Sequence, residues 1–516
     1  MSIINVENLN FSFGDKTILN NISFRLLKED HAGLVGSNGA GKTTLFNILT
    51  GRLVPDSGTM QYSSSKKVGY LDQHSILTEG LSIRDTLRQV FSDLYKIEKK
   101  MLDIGDKLGH CASEDMERLL KDLGVLQDKL YISDFYSIDS KIDQVAQGLG
   151  LFALDMSTPV EKLSGGQRTK VKLAKLLLEN PDILLLDEPT NYLDKEHIEW
   201  LSEYLVHYPN SFMVISHDTD FLDKITNVIY HLEFTNIKRY PGSYNKYLKL
   251  KDEETKRYIE QYAKQQEEIK RMEDFIKKNI VRAATTKRAQ SKMKQLNKIE
   301  RLEKPKPSLK SNFSFIFSGD SGKHVFDSYD LNIGYNYPIM NNLNLHITKG
   351  ERIAVTGCNG IGKSTLLKTI MGVIPPLGGK IKLGESLTPI YFEQETKASD
   401  LTAIEEVWNA YPKKTQREIR EALARCGLRQ ELIFQKMSSL SGGEQAKVRL
   451  CKLMMYPGNW LLLDEPTNHL DVNAKLALKE AIVNFNGTVV LVCHESDFYC
   501  DFVTRIWDLE QQVFRQ

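Results

Sequence analysis

The sequence predicts an α/β protein made of two tandem domains joined by a helical-hairpin linker, and three observations lead there. A chain of 516 residues exceeds what one hydrophobic core supports. Four segments recur in the same order, so that "LLLDEPTNYLD" at 184–194 returns as "LLLDEPTNHLD" at 461–471. The stretch between the copies is charged and almost free of Gly and Pro, which favours helix over a flexible linker. We therefore place the domains at 1–240 and 311–516, and the linker at 241–310.

Each copy contains a glycine-rich loop of the pattern GxxxxGK[ST], between an apolar strand and a helical pattern. In this context backbone N–H groups surround phosphates at a helix N-terminus, the lysine contacts the β/γ-phosphates, and the hydroxyl ligates Mg²⁺. The predicted ATP-binding residues are Gly36, Ser37, Asn38, Gly39, Ala40, Gly41, Lys42, Thr43 and Thr44 in the first copy, and Gly357, Cys358, Asn359, Gly360, Ile361, Gly362, Lys363, Ser364 and Thr365 in the second.

The apolar runs "DILLLDEP" and "NWLLLDEP" each end in two carboxylates. Such a run is typical of a buried parallel strand that delivers its acids to the carboxyl edge of a sheet, where ligands bind. Glu188 and Glu465 are predicted to orient and activate the attacking water. The predicted metal ligands are Thr43 and Asp187 in the first copy, and Ser364 and Asp464 in the second.

The order GxxxxGK[ST], "LSGG", "LLLDEP" and a histidine after an apolar strand resembles the ATP-binding cassette ATPases, which are P-loop NTPases. The resemblance covers both copies, and ordinary phosphate-loop proteins lack "LSGG". It implies a monomer whose two cassettes pair head to tail, so that each signature caps the ATP bound by the other. The resemblance assigns the signature to Ser164, Gly165, Gly166, Ser441, Gly442 and Gly443, further metal contacts to Gln73 and Gln394, catalytic contacts with the γ-phosphate to His217 and His494, and adenine stacking to Phe13 and Tyr335.

The second copy departs from the family pattern at three positions. Glu444 stands where the signature has Gln, and Cys493 and Glu495 replace the Ser and Asp that flank the histidine. All the catalytic positions are retained. We expect two competent ATP sites, and the sequence leaves open whether their rates are equal.

The first copy carries an insertion before its signature. Gln73 to Leu163 spans 90 positions, whereas Gln394 to Leu440 spans 46. The extra residues predict a helical arm at about 86–132, with two amphipathic helices around "GHCASED". A surface hairpin without a partner is the alternative interpretation.

Positive charge is concentrated in the linker of a chain whose formal charge is only +1. From Lys277 to Lys310, twelve Lys and Arg residues face two Glu residues. The scarcity of aromatic residues disfavours base stacking and favours phosphate contacts, as on structured RNA. A solvated helix face is the alternative. The predicted RNA-binding residues are Lys278, Arg282, Lys287, Arg288, Lys292 and Lys294.

Two cassettes, an inserted arm and a basic interdomain hairpin together resemble the ABC-F proteins. The resemblance implies a ribosome-associated ATPase that binds the tRNA exit site with ATP bound. It also implies contact with rRNA and peptidyl-tRNA through the linker, and release on hydrolysis. A family member that protects ribosomes from antibiotics is an alternative, although the linker tip looks short. An ATPase subunit of a transporter is less favoured, because it needs no basic hairpin. A DNA-repair ATPase is also less favoured, because such proteins usually carry long coiled coils or zinc-binding cysteines, and neither appears in the sequence.

The composition bears on location and cofactors. No apolar run approaches the roughly 18 residues that span a bilayer, and "MSIINVENLNFSF" lacks the pattern of a signal peptide. The six cysteines form no CxxC pair and have no regular spacing, which argues against zinc and against a disulfide framework. We expect a cytoplasmic protein with no membrane partner, using ATP and Mg²⁺.

Overall fold

The computed structural model describes residues 2–14, 16–37, 39–63, 66–71, 77–78, 80–108, 113–191, 193–233, 235–279, 286–302, 304, 311–358, 360–393, 399–468, 470–510 and 513–515. Among these residues, no helix combines the length and the apolar character that a membrane span requires.

The first domain combines nine strands with eight helices in its described residues. The strands are β1 (Ser2–Phe13), β2 (Lys16–Leu27), β3 (His31–Val35), β4 (Ser57–Tyr62), β5 (Val68–Leu71), β6 (Ile183–Asp187), β7 (Ser211–Ile215), β8 (Val228–Glu233) and β9 (Asn236–Pro241). The helices are α1 (Lys42–Leu49), α2 (Ile83–Arg88), α3 (Ser92–Leu108), α4 (Ser113–Ile132), α5 (Ile138–Gly148), α6 (Gly165–Glu179), α7 (Lys195–Val206) and α8 (Thr219–Ile225).

A six-stranded sheet with the order β5-β6-β7-β3-β8-β9 forms the centre of this domain, beside an antiparallel sheet β2-β1-β4. Alternate residues of β6 enter two different cores. Leu184 and Leu186 pack with the helical residues, whereas Ile183 and Leu185 pack with the antiparallel sheet and α1. A strand buried on both faces must be apolar throughout, which explains the run "ILLLD".

The arm inserted in the first domain consists of α3 and α4, 17 and 20 residues long, which pack against each other. At 1.5 Å per residue, each helix is about 25–30 Å long. No residue of α3 is buried, so the two helices contact the rest of the domain over a small area. There, Arg88 binds Asp139 through two hydrogen bonds of 2.9 Å.

The linker consists of α9 (Tyr244–Asn279) and α10 (Thr286–Lys298). The 36 residues of α9 extend about 54 Å. The sequence predicts a returning helix over "TTKRAQSKMKQLNKIERLEK", but α10 ends at Lys298. After Lys298, the side-chain amide of Gln265 holds the backbone through two hydrogen bonds. It donates to Glu300 O at 2.9 Å and accepts from Leu302 N at 2.8 Å.

The second domain repeats the first. Its strands are β10 (Ile316–Phe317), β11 (His324–Gly334), β12 (Pro338–Leu343), β13 (His346–Thr348), β14 (Arg352–Thr356), β15 (Gly378–Leu383), β16 (Pro389–Phe392), β17 (Pro457–Gly458), β18 (Trp460–Asp464), β19 (Thr488–Val492), β20 (Arg505–Asp508) and β21 (Val513–Arg515). Its helices are α11 (Lys363–Ile370), α12 (Ala403–Ala410), α13 (Gln416–Arg425), α14 (Gly442–Met454), α15 (Val472–Val483) and α16 (Ser496–Tyr499).

The central sheet of the second domain has the order β16-β18-β19-β14-β20-β21, the same topology as in the first domain. The predicted α/β fold of two tandem domains is confirmed. In each sheet the strand before the glycine-rich loop, the strand ending in the two acids and the strand before the histidine are neighbours. Because these strands run parallel, their carboxyl ends meet at one edge.

Candidate active site at the domain interface

The glycine-rich loops turn directly into helices α1 and α11. The last loop glycines, Gly41 and Gly362, have φ of 99° and 109°, a left-handed conformation that L side chains rarely adopt. A Cβ added at Gly41 would also lie 2.6 Å from the Ile18 side chain. The helix N-terminus therefore begins immediately at Lys42 or Lys363, where its free N–H groups favour an anion.

Both loop lysines fold back over their own loops. Lys42 Nζ donates to Gly36 O at 2.7 Å and to Ser37 O at 3.3 Å. Lys363 Nζ makes the equivalent bonds of 2.6 and 3.0 Å to carbonyls 357 and 358. Burial lowers the pKa of both ammonium groups. A phosphate in the loop would give each lysine a negative partner in place of neutral carbonyls.

The first acid of each pair lies beside the loop hydroxyl and fits a hard cation. Thr43 Oγ1 donates to Asp187 Oδ2 at 2.7 Å. Both carboxylate oxygens of Asp464 are buried, and the Ser364 hydroxyl lies beside them. Burial raises the pKa of Asp464 to about 6. Carboxylate and hydroxyl oxygens are the ligands that Mg²⁺ prefers, so these residues fit the ion.

The second acid of each pair has a strained backbone. Glu188 and Glu465 have φ of 49° and 47°, which costs of order 1–3 kcal/mol for a residue with a side chain. Their N–H groups donate to Ile215 O at 2.9 Å and Val492 O at 3.0 Å, at the end of the neighbouring strand. The sheet therefore holds the strained turn that carries each glutamate.

Each glutamate meets the histidine that follows the next strand. His217 Nε2 lies 3.4 Å from Glu188 Oε1, and His494 Nε2 lies 3.1 Å from Glu465 Oε1. The four residues predicted to be catalytic are thus brought together as two pairs. A carboxylate next to an imidazole at a phosphate-binding edge can position water and accept its proton.

The two pairs differ in their electrostatics. Burial, and then the neighbouring Asp187 charge, raises the pKa of Glu188 to about 8. Burial also raises the pKa of Glu465, but hydrogen bonds from His494 and from Asn468 Nδ2, the latter 2.6 Å long, outweigh it and leave that pKa lowered. The surroundings therefore favour the ionised form of Glu465 and the protonated form of Glu188.

The first signature and the second glycine-rich loop line a common cavity of about 850 Å³. Ser164 and Gly166 lie on one wall, and Gly360 and Lys363 on the other. Glu188, His217, Glu465 and His494 also line this cavity, together with Cys358, Gly362, Ser364 and Thr365. The structure therefore brings the signature of one domain to the loop of the other, as the head-to-tail arrangement requires.

The reciprocal contact involves Glu444, the residue that departs from the family signature. A Cβ added at Gly39 would lie 2.8 Å from Glu444 Oε1, so the second signature adjoins the first loop. Glu444 completes a capping box with Ser441 at the start of α14, as Gln167 does with Ser164 at the start of α6. The substitution therefore keeps the helix cap.

The other predicted nucleotide contacts have the following positions. Phe13 and Tyr335 are 54% and 59% exposed. The Phe13 ring packs edge-to-face on buried Phe11, and both aromatic rings remain accessible to a base. Ala40 and Ile361 pack against the cores beneath their loops. Thr44 lies in the first turn of α1, Gly165 opens α6, and Gly442 and Gly443 open α14. Asn38, Gln73, Asn359 and Gln394 lie outside the described residues.

Comparison with known proteins identifies the family. A family model described as "ABC transporter" matches residues 19–191 and 340–468, and a second with the same description matches residues 230–315. The chain is 49% identical over 511 residues to "Uncharacterized ABC transporter ATP-binding protein YfmM" of Bacillus subtilis (strain 168), covering 99% of each chain. It is 36% identical over 515 residues to "ABC transporter F family member 2" of Arabidopsis thaliana, covering 98% of this chain and 75% of the relative. The chain belongs to the ABC-F family.

Solved structures share the tandem fold of this ABC-F protein. "Model of ribosome-bound archaeal Pelota and ABCE1" matches with a TM-score of 0.58 and 20% identity, covering 97% of this chain and 76% of that one. "RNase-L Inhibitor" matches with a TM-score of 0.57 and 19% identity, covering 97% and 87%. As an ABC-F protein with two ABC domains, the chain is an ATPase.

Several residues around the site of this ABC-F protein were not predicted from its motifs. Three of these residues lie inside the repeated "DEPTN-LD" string. Asn468 binds Glu465, and Asp194 and Asp471 contribute negative charge near the lysines of the opposite domains. Their recurrence was the available signal. Lys475 lines the cavity and contributes positive charge near Glu188 of the other domain. The first copy has Ile198 at the matching place, so no repeat marks this lysine.

The unequal glutamates predict unequal pH dependence. Glu465→Gln leaves Glu188 as the working base, and only its ionised form accepts a proton. Because its pKa is near 8, the remaining ATPase rate should rise as pH increases towards 8. Glu188→Gln leaves Glu465, whose pKa is lowered, so its rate should change little over the same pH range. Phosphate release across this range measures both, and superimposable profiles would contradict the inequality.

The shared cavity predicts that damage to one signature affects the opposite site. Ser164→Arg should place a bulky cation in the cavity with Lys363 and lower hydrolysis by about 10²-fold or more. Nucleotide binding should persist, because both loops are intact. Fluorescent-ATP binding and phosphate release separate the two effects. Ser157→Arg, at an exposed serine in the same domain, is the control, and normal turnover of Ser164→Arg would show that the sites are not shared.

Proposed function

We propose that this ABC-F protein binds the ribosome at the tRNA exit site in its ATP-bound state and modulates translation through its linker. ATP binding in both sites joins the two domains, and hydrolysis releases the protein. Mg²⁺ would be held by Thr43 and Asp187 in one site and by Ser364 and Asp464 in the other. When bound, it would neutralise phosphate charge and polarise the γ-phosphate.

The basic hairpin carries this proposal. Helices α9 and α10 form a paired, mostly exposed extension, and the strongly positive segment from Lys277 to Lys310 includes its end. Lys278, Arg288 and Lys294 are exposed, and Lys292 is half-buried. The side chain of Lys287 and all of Arg282 lie outside the described residues. Positive charge on a narrow helical extension suits the phosphates of rRNA and peptidyl-tRNA in a cleft.

The comparisons support the same partner. One fold neighbour is described as a ribosome-bound complex, and named relatives belong to the F family. The predicted linker tip is short, since Asn279 of α9 and Thr286 of α10 are only seven positions apart in the sequence. This short connection favours a general translation factor over a ribosome-protecting resistance factor. We place the protein in the cytoplasm, as a monomer whose two domains pair within one chain.

The test is sedimentation with ribosomes. The doubly substituted Glu188→Gln, Glu465→Gln protein with ATP should pellet with ribosomes through a sucrose cushion, and should remain in the supernatant without nucleotide. A Lys42→Ala, Lys363→Ala protein, which lacks both phosphate-contacting lysines, should stay unbound under both conditions. Equal pelleting of all these samples would indicate nonspecific RNA binding and refute the ATP-dependent proposal.

A further inference from the structure

A group of metal-ligating side chains lies outside the ATP sites, on the antiparallel sheet of the second domain. His324, Asp327 and His346 each offer a ligand atom, and these atoms lie within 4.8 Å of one another. The histidines belong to adjacent strands, β11 and β13, and His346 Nδ1 contacts Asp327 Oδ1. Neither the sequence motifs nor the ATPase activity uses these residues.

A local irregularity of β11 brings the group together. His324 pairs with Thr348, Phe326 pairs with Ile347, and the intervening residue makes a β-bulge. Residues three apart on a regular strand point to opposite faces. The bulge cancels this alternation, so Val325 and Phe326 are both fully buried. His324 and Asp327 therefore share the outer face of the sheet with His346, whose backbone pairs with that of Asp327.

The first domain has the same backbone but different side chains. Its strand β1 shows a register shift at the matching place, between Ser2 and Ile4. The residues equivalent to the three ligands are Ser2, Asn5 and Arg25. Arg25 pairs with Asn5 as His346 pairs with Asp327, and Arg25 Nε donates to Asn5 Oδ1 at 2.9 Å. The ligand set is therefore peculiar to the second domain and is not a consequence of the fold.

We propose that His324, Asp327 and His346 bind a divalent transition-metal ion of the Zn²⁺ class. Two imidazoles and one carboxylate suit Zn²⁺ and its neighbours, whereas Mg²⁺ and Ca²⁺ prefer oxygen ligands alone. Zn²⁺ bonds of about 2.0 Å place tetrahedral ligand atoms about 3.3 Å apart. Rotation of the exposed imidazoles closes the remaining distance.

The surroundings allow such an ion. Of the cations around the group, Lys349 and Arg505 are paired with Asp320 at 2.8 Å and Glu351 at 3.4 Å. Lys382 lies opposite Asp327 on β15, and Lys323 precedes His324 in the chain. Both of these side chains are exposed, and their long apolar stems allow the ammonium groups to remain in solvent. The side chain of Asp327 is 14% exposed and that of His346 is 47% exposed, so the carboxylate is held in place while the imidazole remains accessible. Three protein ligands leave a fourth position for water. The ion would join β11 to β13.

Zinc titration of the full-length protein, with any affinity tag removed and metals stripped by chelator, tests the proposal. Calorimetry should show one Zn²⁺ site that an excess of Mg²⁺ does not displace. His346→Ala and His324→Ala should each weaken this site more than about 10-fold, and basal ATPase should be unchanged. His207→Ala, at an exposed histidine of the first domain, is the control. Equal Zn²⁺ affinity of the wild type and the two site variants would overturn the proposal.

Transfer of the ligands to the first domain gives an independent test. Ser2→His, Asn5→Asp and Arg25→His together recreate the set on a backbone with the same irregularity. The triple variant should bind two Zn²⁺ ions per chain, and His346→Ala in that background should return it to one. Co²⁺ in place of Zn²⁺ should give visible absorption bands that double with the second site. An unchanged stoichiometry in the triple variant would show that the three residues do not form a site.

Discussion

Replacing both Glu188 and Glu465 by glutamine is expected to lower the ATPase rate by about 10²–10⁴-fold while ATP binding persists. Glutamine has nearly the shape of glutamate but cannot accept a proton from the attacking water. The loop lysines, the loop hydroxyls and both signatures remain intact, so nucleotide binding and domain pairing should continue. Phosphate release and equilibrium ATP binding measure the two properties separately.

The double variant should therefore accumulate with ATP in both sites and inhibit translation when it is expressed. Glu254→Gln is a suitable control, because this carboxylate binds Lys238 at 2.7 Å near the base of the linker, outside the ATP sites. It should hydrolyse ATP at the wild-type rate. Near-normal turnover by the double variant would mean that other groups activate the water.

Most of the fold was predictable because the sequence contains two copies of the same domain. A buried parallel strand must be apolar and must end at the ligand edge, so "LLLDEP" places Asp187 and Glu188 without any structure. The topology is repeated in the second domain, and each histidine, to which the resemblance assigns a γ-phosphate contact, lies at the same edge beside a glutamate. Repetition supplies an internal check that a single motif lacks.

The remaining features depend on contacts that no periodicity encodes. The opposite pKa shifts of Glu188 and Glu465 depend on the folded structure: burial and the Asp187 charge raise the first, whereas hydrogen bonds from His494 and Asn468 outweigh burial at the second. The end of α10 depends on Gln265, more than 30 residues earlier in the sequence. A strict two-residue period would place His324 and Asp327 on opposite faces, and the bulge overrides it.

Charge reversal at the end of the hairpin is expected to have the largest effect on the partner. Each phosphate contact releases condensed counterions, so affinity for RNA falls steeply as salt increases. Losing four contacts should flatten the slope of log affinity against log salt by about 3–4 units, and ribosome stimulation of hydrolysis should fall with it. The positions to change to glutamate are Lys287, Arg288, Lys292 and Lys294.

These four residues lie on α10, outside both sheets, so the domains should stay folded and keep their basal ATPase. A matched control reverses four exposed lysines of the second domain and changes the net charge equally. Only the hairpin variant should lose affinity and slope when ATP-trapped protein is sedimented with ribosomes at several salt concentrations. If both variants behave alike, total charge governs binding, and if neither changes, the hairpin is a solvated spacer. The control positions are Lys380, Lys382, Lys413 and Lys414.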